Sequence, residues 1–486
     1  MILNVKPVVG TLGALLFFLG VALLLPLGVD LIYREGDWLA FGITALVSMA
    51  GGGALWYRWG GKGSELRARD GFAIVAFSWF VLSLLGALPF YLSGTLDSYT
   101  DAFFETMSGF TTTGATILGG EHTPAIEELS HALLFWRSLS HWIGGMGIIV
   151  LTLAILPILG IGGMQMFKAE VPGPTADKLT PRVRETAQRL WLIYVGITGV
   201  QVILLWPAMG LFDAINHAFA TMATGGFSTK NGSVGQYASG YVDWVITIFM
   251  ILAGFNFALH YRLLKGRFES VFKDTELRVY LLILLGATVL MTVSLMGDDE
   301  SFWMSLRLAA FQAASIVTTT GFGTADYELW PALAMTVIFL LFFAGGMAGS
   351  TGGGIKIVRH VLMFKNSFKE LKQLIHPRAV LTVRINGQPV ADDVMRNVLS
   401  FLVLYCGLSG LGTLVMAMTG LDVLSAFTAT VSCIGNIGPA FGDFGPAENY
   451  ASITAFGKWV LSFLMMAGRL EIFTVLILLS PVFWEN

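Results

Sequence analysis

Four places in this chain set small residues and a glycine where backbone oxygens could replace the water shell of a cation. They are Thr112-Thr113-Gly114, Thr224-Gly225-Gly226, Thr319-Thr320-Gly321 and Asn436-Ile437-Gly438. A desolvated monovalent cation needs several oxygen ligands at close range. Backbone carbonyls supply them where the chain is extended and a glycine turns it without a side chain in the way. Two rows of carbonyls plus those of the glycines would give stacked cation sites. In three of the four, the glycine stands eleven residues beyond the end of a short pattern, Asp101-Ala102-Phe103, Asp213-Ala214-Ile215 or Ser425-Ala426-Phe427. The third place keeps only the alanine, in Leu308-Ala309-Ala310, at the same distance from Gly321. This spacing selects Gly226 over Gly225 and Gly438 over Gly435. A single Thr-Thr-Gly reads equally well as a helix cap or a turn, whereas four at matched spacing read as a repeated unit. The ring is chemically uneven, with Gly225 in the second loop and Asn436, Ile437 and Pro439 in the fourth. That unevenness predicts looser ion discrimination than four identical loops would give.

The elements that must hold these loops lie in a membrane. Mean hydropathy is +0.72 and only 13% of the residues are charged, about half the fraction of an ordinary soluble chain. Spans are expected near 8–30, 38–58, 71–93, 131–160, 187–209, 241–263, 278–296, 332–361, 394–418 and 455–481. Met1 to Pro26 reads as the first of them, not as a signal peptide. Four shorter apolar stretches, near 100–113, 212–225, 302–320 and 422–437, are too short to cross and too apolar for ordinary loops. Each reads as a re-entrant pore helix that returns as a loop.

Most of the 29 Lys and Arg fall between units or just before the first. They are Arg58, Lys62, Arg67 and Arg69; Lys168, Lys178, Arg182, Arg184 and Arg189; Arg262, Lys265, Arg267, Lys273 and Arg278; and Lys356, Arg359, Lys365, Lys369, Lys372, Arg378, Arg384 and Arg396. By the positive-inside rule those connections are cytoplasmic. The four loops then open to the opposite side, where Asp97, Asp101, Glu105, Glu121, Glu127 and Glu128 add negative charge. The expected fold is an all-α polytopic membrane protein, with two extra transmembrane helices in 1–65 and four parallel helix–pore-loop–helix repeats around one pore. The repeats cover 66–165, 166–265, 266–375 and 376–486. Residues 361–391 form the longest cytoplasmic stretch, with Pro377 and Asn386-Gly387 as turn signals. A net charge of −3 gives no reason to expect nucleic acid. Cys406 and Cys433 offer neither a metal-ligand spacing nor a disulfide framework.

Two features could block a path below the loops. Gly345, Gly346, Gly349, Gly352, Gly353 and Gly354 crowd the second helix of the third unit, and glycine costs about 1 kcal/mol in a helix interior. Helix should fail there, leaving irregular backbone that plugs a conduit, or else a glycine-rich packing surface. A nucleotide-binding loop is excluded, because no strand precedes the glycines and Lys356 does not directly follow the last one. Arg469 and Glu471 lie inside the last span, where a charge costs on the order of 3 kcal/mol or more. Arg469 reads as a pore-facing cation that opposes passage. An Arg–Glu pair between helices, or a side chain snorkelling toward the inner end, is the alternative. Arg137 and His141 share one face near the outer part of a span; His141 reads as a packing residue, and neither is given a catalytic role. Lys356 and Arg359 read as marking the cytoplasmic end of their helix.

These residues resemble the Trk/Ktr/HKT potassium transporter superfamily, most closely its bacterial TrkH type. The resemblance covers nearly the whole chain. It rests on Phe110-Thr-Thr-Thr-Gly114, Gly225-Gly-Phe227, Thr320-Gly-Phe322, Asn436-Ile-Gly438, Ala348-Gly-Ser-Thr-Gly-Gly-Gly354, His376-Pro-Arg-Ala379 and Gly468-Arg-Leu-Glu-Ile-Phe473. It implies potassium uptake at a bacterial inner membrane, with Rb⁺ as a congener and potassium as substrate, not as a bound cofactor. It also implies a homodimer with one pore per protomer, in contact with membrane lipid, and a TrkA-like cytosolic partner that binds nucleotides. In the family the glycine loop and the arginine matching Arg469 form the constriction. A channel-like path and a symporter driven by H⁺ or Na⁺ both remain open. A membrane enzyme finds no metal-ligand cluster and no nucleophile–base pair at membrane depth.

Overall fold

The computed structural model describes residues 3–60, 68–120, 123–154, 180–298 and 301–485. Lys62, Arg67, Glu121, Lys168 and Lys178, the end of the 131–160 span and the side chains of Arg182 and Arg184 lie outside the described residues. Among the described residues the architecture is helical throughout apart from one two-residue hairpin. Among these residues, six helices are long and apolar enough to cross a membrane, and a bent pair makes a seventh. The first two, α1 (Val5–Tyr33) and α2 (Trp38–Trp59), pack backbone to backbone. A methyl group added to Gly13 would lie 2.8 Å from the Gly52 carbonyl oxygen, and one on Gly52 would lie 2.5 Å from the Phe17 nitrogen. Small residues that admit a neighbouring backbone are the usual way to join helices where lipid removes the hydrophobic drive.

The chain continues through α3 (Ala68–Gly86), α4 (Leu88–Leu92), α5 (Tyr99–Phe110), α6 (His131–Ala154), α7 (Thr180–Met209) and α8 (Leu211–Met222). It then forms α9 (Gly240–Ala253), α10 (Phe257–Leu264), α11 (Phe268–Phe272), α12 (Thr275–Leu295) and α13 (Phe302–Val317). The last third holds α14 (Ala332–Leu341), α15 (Ile357–Ile375), α16 (Asp392–Met418), α17 (Val423–Gly435), α18 (Ala455–Arg469), α19 (Ile472–Leu479) and α20 (Pro481–Trp484). The four short helices α5, α8, α13 and α17 have 12, 12, 16 and 13 residues. At about 1.5 Å per residue none of them spans the roughly 30 Å of hydrocarbon. They are nonetheless among the most buried elements, with every residue from Ala102 to Phe110 and from Ala426 to Gly435, except Phe427, withdrawn from solvent.

Three of the expected spans are interrupted, the 332–361 span at the glycine run where helix was expected to fail and the other two without such a signal. The 241–263 span bends by 100° between α9 and α10. Its break is stabilised by Asn256, whose Oδ1 accepts from the Ala258 N–H at 2.8 Å and restarts the helix. The 332–361 span stops at Leu341 and resumes at Ile357, where the glycine content makes helix costly. The 455–481 span breaks at Leu470-Glu471, and Glu471 takes φ of +63°. The hairpin β1 (Arg384–Ile385) and β2 (Gln388–Pro389) turns at Asn386-Gly387. Asn386 docks it on the start of α12, donating to Asp274 Oδ2 and accepting from the Thr275 N–H, each at 2.8 Å.

Candidate functional site

Each of the four short helices ends in the same way. Thr112, Thr224, Thr319 and Asn436 stand two residues before Gly114, Gly226, Gly321 and Gly438, and all four take φ between +51° and +59°. The next N–H, of Thr113, Gly225, Thr320 or Ile437, reaches back to the carbonyl five residues earlier at 2.8–2.9 Å. This is a Schellman cap, which normally places glycine or asparagine at the left-handed position. Threonine there is costly, because a left-handed β-branched residue strains by roughly 1–2 kcal/mol. The strain is held by burial on all sides, since all four cap residues are withdrawn from solvent. Alignment on the glycines singled out these four residues, but not their left-handed conformation, which threonine, unlike Asn436, carries no preference to reveal.

The glycines then turn the chain a second time, with φ of +81°, +83°, +81° and +102° in chain order. Each sits against the backbone of the next loop. A methyl group on Gly114 would collide with the Gly225 carbonyl, one on Gly226 with Thr320, one on Gly321 with Ile437, and one on Gly438 with Thr113 at 2.7 Å. The contacts run from the first loop to the second, third and fourth, and back to the first. Seams between neighbours are stitched by different groups. Asn436 Nδ2 donates to Thr113 Oγ1 at 3.0 Å, the Gly235 N–H donates to the Gly323 carbonyl at 3.0 Å, and the Tyr327 hydroxyl donates to the Ala440 carbonyl.

The side chains behind the loops explain the uneven composition. Thr113 and Thr320 bond to Thr111 and Thr318 through their hydroxyls at 2.8 and 2.7 Å. At the equivalent place in the second loop, the His141 imidazole fills the space a side chain on Gly225 would need. The same ring stacks on Phe227 with centroids 4.0 Å apart. In the fourth loop the Ile437 side chain folds back toward Gly435. Glu105, expected to add charge at the outer mouth, is instead fully buried and ion-paired with Arg137 at 2.9 Å. A carboxylate lying inside the bundle is retained only with such a partner. Asp101 likewise meets Lys458 at 2.7 Å.

The irregular stretch between Leu341 and Ile357 lies against the ends of α8, α13 and α17. The Gly353 N–H donates to Thr319 Oγ1 at 2.6 Å, and a methyl group on Gly352 would lie 2.9 Å from the Thr318 carbonyl. The Thr351 hydroxyl reaches the Met222 and Ala253 carbonyls at 3.0 and 3.2 Å. The Met347 N–H and the Gly349 carbonyl pair with Gly254 and Phe257 at the break in the second unit, each at 3.0 Å. Gly345 and Gly354 face each other across this stretch, and Gly346 accepts from the Ile357 N–H. The carboxylate of Glu276 takes the Ala348 and Val358 N–H groups at 2.7 and 3.0 Å and closes the base. Glu276 escapes notice in the sequence, since an acidic residue after Asp274 reads simply as the first turn of a helix.

Arg469 donates to the Thr351 carbonyl at 2.6 Å and to the Gly144 carbonyl at 3.3 Å. It therefore ties the last span to this stretch and to α6, and it is not the partner of Glu471. Glu471 pairs with Arg359 at 2.6 Å, and the Arg359 guanidinium also lies 3.8 Å over the Phe401 ring. Lys356 donates to the Gly352 carbonyl. Lys356 and Arg359 thus stand at the start of α15 and are bonded within the protein.

Apolar helices of crossing length packed around four short buried helices define a multi-pass membrane protein. The chain belongs to the TrkH family, described as cation transport protein, whose match covers residues 39–485. It is 42% identical to the Trk system potassium uptake protein TrkH of Salmonella typhimurium and 41% identical to that of Escherichia coli K12, over the full length of each chain. The crystal structure of the potassium transporter TrkH from Vibrio parahaemolyticus superposes with a TM-score of 0.90 at 38% identity, covering 99% of this chain and 100% of that one.

Proposed function

We propose that this chain takes up potassium across a bacterial cytoplasmic membrane through the ring of four loops. The observation that carries the reading is the closed circuit of contacts in which each glycine abuts the carbonyl of the next loop. The carbonyls of Thr112, Thr113 and Gly114 and of their counterparts at Thr224, Gly225 and Gly226, at Thr319, Thr320 and Gly321, and at Asn436, Ile437 and Gly438 would replace the hydration shell of K⁺ in stacked layers. The repeats 66–165, 166–265, 266–375 and 376–486 would each supply one quadrant, with their basic connections facing the cytoplasm. The stretch from Gly345 to Gly354 closes the path below the ring, and Arg469 adds a fixed positive charge there. Relatives named for a Trk system fit a transporter that works with a cytosolic nucleotide-binding partner, and the working form is a homodimer.

The test is ⁸⁶Rb⁺ uptake by cells that lack their own potassium uptake. Gly321→Ser, whose side chain would strike the Ile437 carbonyl, is expected to abolish uptake with the protein still in the membrane. Arg469→Ala is expected to raise uptake when no cytosolic partner is present. Retained uptake in the first variant would reject the ring as the path, and unchanged uptake in the second would reject the barrier. Current through proteoliposomes driven by voltage alone, without a Na⁺ or H⁺ gradient, is the expected mode.

A further inference from the structure

The seam between the first and second loops is closed by a fully buried ion pair. Arg137 projects from α6 with its side chain only 1% exposed, and Glu105 opposite it is at 0%. The guanidinium uses all three of its nitrogens. Nε donates to Glu105 Oε1 at 2.9 Å, Nη2 to Thr116 Oγ1 at 3.3 Å, and Nη1 to the Ser228 carbonyl at 2.9 Å. Its carbon also lies 4.2 Å over the Phe227 ring. Glu105 completes the first-loop side by accepting the Ile117 N–H at 3.1 Å. Thr116 and Ser228 each stand two residues beyond a ring glycine. One planar fork therefore holds the same register point of two adjacent loops, just outside the place where Gly114 meets the Gly225 carbonyl.

No other seam has this construction among the described residues. Ion pairs do join other neighbouring units at their helices, Lys458 with Asp101 at 2.7 Å and Arg307 with Asp243 at 3.3 Å, but both are partly exposed and neither reaches the loop beyond a ring glycine, and at the rim Glu328 accepts the Gly442 N–H at 2.7 Å. A buried pair in which every nitrogen of the guanidinium and both carboxylate oxygens have a partner is stiff, because breaking either side leaves an uncompensated charge in a low-dielectric interior. We propose that Arg137, locked by Glu105, is a specificity-positioning residue that sets the width of the ring between the first and second loops, and so its preference for K⁺ over the smaller Na⁺. This deepens the transport reading above and rests on it. Arg137 does not touch the ion. It acts through the Ser228 carbonyl and the Thr116 hydroxyl, as outer-shell partners do when they orient the ligands of a metal.

The decisive variant is Arg137→Lys, which keeps a positive charge for Glu105 but loses the fork that spans both loops. Glu105→Gln is its companion, keeping an acceptor for Ile117 while weakening the hold on Arg137. Uptake of ⁸⁶Rb⁺ is measured against increasing Na⁺, in cells and in proteoliposomes, with amounts of protein in the membrane matched. Both variants are expected to transport, and Na⁺ should compete at about tenfold lower concentration than in the native chain. The change should appear in the Rb⁺ KM and the Na⁺ competition more than in the maximal rate. Unchanged Na⁺ competition in variants that still transport would overturn the inference and leave the transport reading intact. Failure of the native chain to take up Rb⁺ would remove both. If neither variant reaches the membrane, the pair is a requirement for folding and the specificity role is overturned.

Discussion

At the scale of single residues, the ring is defined by what it cannot accommodate. Gly225 is glycine because His141 already occupies its side-chain space, and the two positions are therefore one unit. Gly225→Ala should lose most ⁸⁶Rb⁺ uptake and much of its amount in the membrane, since the imidazole is fully buried and stacked on Phe227. His141→Ala combined with Gly225→Ala should recover a substantial part of both. Equal loss in the single and double variants would show that the glycine is needed for its backbone and not for the histidine.

At the scale of elements, the short helices are specified by their ends. Their caps place threonine in a left-handed conformation, yet the four hydroxyls and amides are used differently. The Thr112 hydroxyl has no partner among the described residues, whereas Thr319 accepts from Gly353. Thr112→Gly removes strain with no hydrogen bond lost, and Thr319→Gly removes strain but frees the 342–356 stretch. Thermal unfolding in detergent should therefore rank Thr112→Gly above Thr319→Gly by on the order of 1 kcal/mol. The reverse ranking would mean that the Gly353 bond contributes nothing. Much of this level was legible in the residues. Apolar stretches too short to span marked all four short helices to within a few residues, and the matched spacing located the turn glycines. The breaks at Gly254 and at Glu471 were not legible. Each is stabilised by distant groups, the first by Met347 and Gly349 and the second by Arg359, and local propensity cannot register a partner some 90 or more residues away in the chain. The pairing of Arg137 with Glu105, 32 residues apart, was hidden because it too joins two separate elements.

At the scale of the molecule, α1 and α2 form a hairpin to one side of the ring, and α1 lies outside the stretch that matches the family. Gly52→Val would push a side chain into the α1 backbone. It should lower the amount of protein in the membrane while leaving ⁸⁶Rb⁺ uptake per molecule unchanged. A fall in uptake per molecule would show that the hairpin bears on the path. The ring itself carries a different lesson. Because each loop is braced on the next and the last on the first, the four behave like a hoop under circumferential load. Slack or swelling introduced in one quadrant has no free end at which to dissipate and must be shared by the other three. A chain that encodes all four quadrants in one polypeptide can thus adjust the aperture in small steps, by altering one seam at a time, where a ring of identical subunits would change at all four together.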